Sequence, residues 1–381
     1  MVVEGHGQRL ASPLDDLLAP LTRLTALQLQ LHGCLSVPLP ASLAQLTALR
    51  ELKWPGYIPP PQRELHSVLA LLTQLTALSL KIAVDGSCGL PELPSLQSID
   101  VLEVADGGLA LLAASCPALL SLTTSHCTVA ANARDVAACL PALTTLTLRS
   151  DLGLSHGSAA GFSLAACAPA LKSLSVTTSK LALDPVVLVD KLMGLRELEL
   201  CTESGLGPWV MGARQWQALA ALPALRSFVG SSIHLGEGPA ARAAFVSVCA
   251  RLTRLRLRLR ALYSQVRCCL YLATAMRCSR VQAFDLTWDL DEAGGAGPDE
   301  RLEPFWQNLA SWPCLSHACF GFVCTAEQLS VLCASPTVTK VELPAPDGLG
   351  RHKAARLVAR AQQLMRAHRV KELEISIEGR L

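Results

Sequence analysis

The sequence predicts an α/β solenoid, a horseshoe with a parallel sheet on its concave face and helices on its convex face. Three observations carry that expectation. The pattern L-x-x-L-x-x-L-x-L recurs along the chain, reading LTRLTALQL at Leu21, LTQLTALSL at Leu72, LPSLQSIDV at Leu93, LPALTTLTL at Leu140 and LMGLRELEL at Leu192. The third apolar position of each unit marks an anchor: Leu27, Leu52, Leu78, Ile99, Leu122, Leu146, Leu174, Leu198, Phe228, Leu255, Phe284, Ala318, Val341 and Leu373. From 27 to 373 these fourteen anchors make thirteen steps averaging about 27 residues, the period of a stacked strand–helix unit. The third observation is a change of periodicity within each unit, from two at the anchor to a helical spacing after it.

Each L-x-L stretch alternates apolar and polar residues, as a strand with one buried face does. Between the strands, RELHSVLALL, GGLALLAAS, PVVLVDKLM, RQWQALAAL, SQVRCCLYLATAM, TAEQLSVLCA and GRHKAARLVARAQQLM carry apolar residues at helical spacing. Pro94, Pro117, Pro141, Pro169, Pro223, Pro313 and Pro336 each stand five residues before an anchor. Proline lacks the amide that a continuing helix needs and restricts the residue before it, so a helix ends and a strand begins there. Residues 1–20 hold only ASPLDDLLAPL as a half-repeat cap, and residues 21–381 are expected to form one solenoid domain in which each repeat touches its neighbours. The last unit, RVKELEISIEGRL, ends shortly after its strand, so its edge is expected to be covered by a partner or by further chain.

A hydrophobic fraction of 51% follows from one Leu- and Ala-rich core running through all units. No apolar run approaches the roughly 18 residues of a membrane span. The start, MVVEGHGQRLASPLDD, lacks the basic-then-apolar order of a signal peptide. A net charge of +2 implies no polyanionic partner. Fifteen cysteines without a C-x-x-C point to a reducing, intracellular and cytoplasmic setting. Cys116, Cys139, Cys167, Cys249, Cys278 and Cys333 fall just before a strand motif and read as small buried hydrophobes. Cys314, His317, Cys319 and Cys324 cluster, but Cys319 and Phe320 point to opposite faces of a strand. No tetrahedral metal site follows from them.

The stretch Asp106–Cys127, DGGLALLAASCPALLSLTTSHC, resembles the cysteine-containing leucine-rich repeat of F-box substrate receptors and related intracellular proteins. Gly107, Gly108, Cys116, Leu119, Leu122 and Cys127 fall where that repeat has its glycine, helix-end cysteine, strand leucines and strand-end cysteine. The broader leucine-rich-repeat resemblance spans nearly the whole chain. It departs from the extracellular pattern, because Asn132 and Asn308 are the only asparagines and no asparagine ladder can form. The resemblance implies an intracellular recognition solenoid. Its first reading is a non-enzymatic scaffold or adaptor in an assembly such as cytoskeletal or ciliary (axonemal) machinery. Its alternative is the substrate-recognition subunit of an SCF-type ubiquitin ligase whose F-box is missing here or supplied in trans.

Gly153-Leu-Ser155-His-Gly157 matches the nucleophile-elbow pattern, but Ser155 lies seven residues beyond Leu148, in a loop rather than straight off a strand. Gly236-Glu-Gly238-Pro-Ala-Ala241 resembles a dinucleotide fingerprint, yet Pro239 removes an amide that a phosphate would need. No catalytic residue, cofactor, metal or small-molecule substrate is assigned.

The strongest functional signal is CARLTRLRLRLRAL. Leu255, Leu257 and Leu259 face the core while Arg254, Arg256, Arg258 and Arg260 project from the other side. At about 3.3 Å per residue this makes a cationic stripe on the order of 20 Å long. The expected register sets Ala283, Asp285 and Thr287 on one side of it and Ser227, Val229 and Ser231 on the other, so only Arg256 meets an acid at its own rung. One strand further, Glu197 and Glu199 supply an acidic counterpart. Arg254, Arg256, Arg258, Arg260, Glu197, Glu199 and Asp285 are therefore the candidate partner-binding residues, and the expected partner is a protein. Trp54, Trp209, Trp216, Trp288, Trp306 and Trp312 are scattered away from the stripe, so the stacking platforms of single-strand nucleic-acid binders are not expected.

Overall fold

The computed structural model describes residues 2–6, 11–32, 39–58, 63–105, 107–127, 140–149, 164–178, 186, 189, 191–202, 209–236, 238–260, 280–289, 303–320, 326–344 and 372–376. They fall into two compact units, Met1–Gly194 and Leu195–Leu381. Both are α/β, solenoid-like and built on parallel strands.

In the first unit β1 (Val2–His6), β2 (Ala26–His32), β3 (Glu51–Tyr57), β4 (Ala77–Val84), β5 (Ser98–Val104), β6 (Ser121–Cys127), β7 (Thr145–Leu148) and β8 (Ser173–Thr178) follow one another in chain order, each parallel to the next. The register runs Leu27, Leu52, Leu78, Ile99, Leu122, Leu146, Leu174, so every anchor in this unit lies beside the next. All seven are buried. Burial alternates through the first four residues of β3 to β7, as in the pattern iBiB of β7, because a one-residue slip would turn the apolar set toward water.

The second unit holds β9 (Glu197–Thr202), β10 (Trp209–Met211), β11 (Ser227–Leu235), β12 (Arg254–Arg260), β13 (Ala283–Asp289), β14 (His317–Phe320), β15 (Lys340–Pro344) and β16 (Glu372–Ser376). The order is β9-β11-β12-β13-β14-β15-β16, again parallel, and the register runs Leu198, Phe228, Leu255, Phe284, Ala318, Val341, Leu373. The first four residues of β11 pair with β9, while its end, Ile233–Leu235, pairs with β10.

Helices Ala11–Leu18, Arg63–Leu69, Gly108–Ser115, Leu164–Cys167, Ala213–Ala220, Pro239–Cys249, Glu303–Ala310 and Ala326–Cys333 connect strands among the described residues. Their starts follow from local chemistry. Gly107 sits at φ 78, and a side chain on Gly108 would run into the Val84 carbonyl, so this strand-to-helix corner needs both glycines. Gly238 at φ 106 precedes Pro239 at the first helical position, where a missing N–H costs nothing. Gln215 Oε1 accepts the Gly212 N–H at 3.1 Å, reaching back from the first turn as in a capping box.

The prolines before the strands sit in tight turns. The residue ahead of Pro94, Pro117, Pro141, Pro169, Pro223 and Pro313 accepts a bond from the amide three residues on, as Leu93 does from Leu96 at 3.0 Å and Leu140 from Leu143 at 3.0 Å. Proline is suited to the second position of such a turn because its φ is preset.

At the strand entrance a hydroxyl device repeats in both units. The Arg50 carbonyl accepts from Thr76 N–H, Ala77 N–H and Thr76 Oγ1 at 2.8, 3.0 and 3.1 Å. The same triple acceptance occurs at Leu120 from Thr144 and Thr145, at Arg226 from Thr253 and Arg254, at Gln282 from Ser316 and His317, and at Ser316 from Thr339 and Lys340. A Ser or Thr two residues before the anchor thus ties its unit to the preceding one. It does so with no asparagine.

Two strands were not foreseen. Val2–His6 lies beside β2 with Val2 opposite Gln28, and Trp209–Met211 extends the sheet past the end of β9. Both are short, and their neighbours supply their hydrogen bonds, so no L-x-L motif is needed. The helices expected over 264–276 and 350–365 lie outside the described residues; of the one expected over 185–193, Val186 and Val189 are helical, residues 191–193 are in a turn, and the rest lies outside the described residues. Gly153, Ser155, Gly157, Cys139, Cys278 and Cys324 also lie outside them.

The cores differ. Among the described residues of the first unit Trp54 is the one buried aromatic side chain, set in a mostly aliphatic core. The second packs Trp216 edge-on against Phe228 and Phe245 with centroids 5.5 and 4.7 Å apart, and Phe284 against Trp312 at 5.3 Å. Trp306 lies 4.9 Å from Phe320. At Gly230 a Cβ would collide with Ile233, whose side chain fills that inward slot across a register shift between Ser231 and Ile233.

A charged face on the second unit

Strand β12 places its arginines by alternation alone. Leu255 and Leu257 are buried, and Arg254, Arg256 and Arg258 are exposed on the opposite face. The neighbours are those expected: Arg254, Arg256 and Arg258 lie beside Ala283, Asp285 and Thr287 on β13, and beside Ser227, Val229 and Ser231 on β11. Glu197 and Glu199 lie beside Ser227 and Val229. Glu197 is exposed and Glu199 half-buried. Arg260 stands opposite Asp289 in the backbone register, its side chain lying outside the described ones.

Arg256 Nε pairs with Asp285 Oδ2, Arg256 being 48% exposed and Asp285 16%. Thr287 Oγ1 donates to the other Asp285 oxygen at 3.3 Å, so this carboxylate is held from two sides. Among the described residues Arg254 has no ion pair. Arg258 is exposed yet not without a partner, so an unpaired Arg258, expected from the rung match, is not carried forward.

The face continues beyond the residues singled out from the sequence. Lys340 Nζ lies 2.7 Å from Glu342 Oε1, and His317 Nε2 lies 3.2 Å from the same oxygen. The hydrogen bond from Lys340, followed by the charges of His317 and Lys340, holds the Glu342 carboxyl below its ordinary value despite some desolvation. Between Asp285 and Glu342 on the same rung sits Cys319, whose thiol is pushed up to about 12 by burial and by the Asp285 and Glu342 charges. The Cys201 thiol is pushed up to about 11 by burial and by Glu199. Such thiols stay protonated at neutral pH and are poor nucleophiles and metal ligands. Lys340 and Glu342 were legible as the outward positions of K-V-E-L, but charges spaced two apart do not announce which neighbours they meet.

The other cysteine positions match their reading as filler where they are described. Cys116, Cys167, Cys249 and Cys333 are buried, and burial raises the thiols of Cys116, Cys249 and Cys333, that of Cys116 to about 12. Cys314 is exposed, and Cys319 is part-covered on the face opposite buried Phe320. No helix among the described residues is long and apolar enough to cross a membrane. No family model matches the sequence, and no curated protein is significantly similar to it.

Proposed function

We propose that the chain is a non-enzymatic leucine-rich-repeat protein, an adaptor or scaffold that binds a protein partner on the open sheet face of its second unit. One observation carries the reading. Three arginines stand exposed on a single strand, and the register supplies a carboxylate at the rung of only one of them. A solvated face with no partner gains little from concentrating like charge, since arginines two apart on one strand repel.

The anchor register and the hydroxyl device at five strand entrances support the leucine-rich-repeat assignment, with about fourteen units from the anchor spacing. The F-box-type repeat at Asp106–Cys127 keeps the ligase-subunit alternative open. Its Gly107–Gly108 corner and buried Cys116 and Cys127 match that repeat's glycine and cysteines. A pull-down that recovers cullin-type ligase components would favour it over a scaffold.

The direct test is Arg254→Glu with Arg258→Glu. Partner capture should fall chiefly through a slower association rate, and the loss should shrink as salt shortens the Debye length below about 10 Å. Stability should move by only about 0–1 kcal/mol per exposed charge. A double variant that keeps its whole set of partners at unchanged rates would reduce the stripe to a solvated surface.

A further inference from the structure

We infer that the open sheet face of the first unit carries a docking site of its own, a depression that receives one arginine side chain of a protein partner. The site does not depend on the arginine strand of the second unit. Strand register isolates its charges from one another. Glu51 on β3 lies beside Ala26 on β2 and Ala77 on β4, and Lys53 lies beside Gln28 and Ser79. Asp100 on β5 lies beside Ser79 and Thr123. None of the three has an opposite charge as its strand neighbour, whereas Arg256 has Asp285. Among the described residues Glu51 and Lys53 form no ion pair. Asp100 Oδ2 accepts the Ser79 hydroxyl at 3.2 Å, and among the described residues its Oδ1 has no donor.

Short side chains make the depression. Ala26, Ala77 and Ser98 leave about 280 Å³ open between the longer Glu51, Lys53 and Asp100. Small-molecule sites enclose most of their ligand within about 300–1,000 Å³. This one is smaller and shallow, so it suits one side chain whose other contacts belong to a larger partner. The alanine methyls suit an alkyl stem, and carboxylates on two sides suit a cationic head. Glu51 and Asp100 stand two strand spacings and two residues apart, about 12 Å between Cα atoms. Leaning inward, the two side chains narrow that gap to what one guanidinium spans, because its planar fork offers donors along more than one edge. An ammonium is a point charge and satisfies one acid at a time. Lys53 offsets one of the two carboxylates and leaves the other in excess, so an acidic side chain is disfavoured here.

The test titrates acetyl-Gly-Gly-Arg-Gly-Gly-amide into the full chain at low salt and follows the Ala77 methyl resonance, assigned through Ala77→Ser. Two analogues replace the arginine by lysine or by citrulline, which keeps the shape and loses the charge. The arginine peptide should bind at least about tenfold tighter than the citrulline peptide, a difference of about 1.4 kcal/mol. The lysine peptide should fall between them, about threefold weaker than arginine. Glu51→Gln with Asp100→Asn should abolish the preference over citrulline, provided circular dichroism shows the variant folded. The citrulline comparison on the unaltered chain decides the matter if that variant does not fold. Lys53→Met should tighten arginine binding, and weaker binding in that variant would mean the site holds an anion instead. An unmoved Ala77 methyl, equal binding of arginine and citrulline peptides, or a preference that survives the folded double variant overturns the inference. Free arginine that binds more tightly than the peptide overturns a protein as its source.

Discussion

Along equivalent rungs the two units present different chemistry on the same scaffold. The first unit shows Gln28, Lys53, Ser79, Asp100, Thr123, Thr147 and Ser175, while the second shows Glu199, Val229, Arg256, Asp285, Cys319 and Glu342. In the first, Ser79 donates to Asp100 at 3.2 Å, and a shallow depression of about 280 Å³ opens over Gln28, Glu51, Lys53, Ser79 and Asp100. In the second, Arg256 pairs with Asp285 and Glu342 with Lys340 and His317, and among the described residues exposed Arg254 has no ion pair. The inward positions differ too, aliphatic in one unit and strongly aromatic in the other. Yet the register of anchors is the same in kind. Inward positions need only be apolar and fill their volume, and outward positions are almost unconstrained by the fold. Outward differences are therefore the better guide to function.

The largest effect that would sharpen this comparison is in the cores. Phe284→Ala removes a ring that meets Phe305, Trp312 and Phe320, and should cost about 3–5 kcal/mol in urea unfolding. Leu146→Ala in the first unit should fall within about 2–5 kcal/mol, spread by how far the site collapses. If Phe284→Ala costs less than about 1 kcal/mol, the aromatic cluster is not a packed core.

Gly230→Ala should cost about 1–3 kcal/mol through overpacking against Ile233. A second substitution, Ile233→Val, should relieve part of that cost if the collision is the cause.

Alkaline pH acts on both units next. Thiols of Cys116, Cys201 and Cys319 are raised from 9.0 to about 12, 11 and 12. A raised thiol pKa means the folded state holds its proton more tightly than the unfolded one. Its contribution is complete below pH 9 and is lost as pH rises toward 11–12. The thermal midpoint should fall over that window. Cys319→Ala should flatten the fall.

The smallest effect concerns what the units share. Thr144→Val and Thr253→Val each remove one hydroxyl donor from a carbonyl that keeps two N–H donors, so each should cost near the low end of about 0.5–1.5 kcal/mol. Unequal costs, measured by denaturant unfolding, would show that the device matters more in one unit.

Much of this was legible because period two and period 3.6 are local properties. The anchors from Leu27 to Val341 are all buried, and adjacent anchors within each unit pair as the L-x-L spacing implied. The pairing of Arg256 with Asp285 was also readable, since a parallel register between anchored strands leaves one choice of neighbour. Strands β1 and β10 were not, because VVEGH and WVM contain no motif and become strands only where a neighbour offers free ladder groups. The Lys340–Glu342–His317 contacts were missed for a related reason. Alternation tells which face a side chain takes, but ion pairs depend on how long side chains bend toward one another.

The sequence by itself determined which residues face inward, which strands are neighbours and which strand carries the arginines, because apolar burial is set by spacing along the chain. Only the tertiary structure decided that Lys340 and His317 both turn to Glu342 and that Ile233 fills the slot Gly230 leaves. Those outcomes depend on side-chain length and direction across strands far apart in sequence.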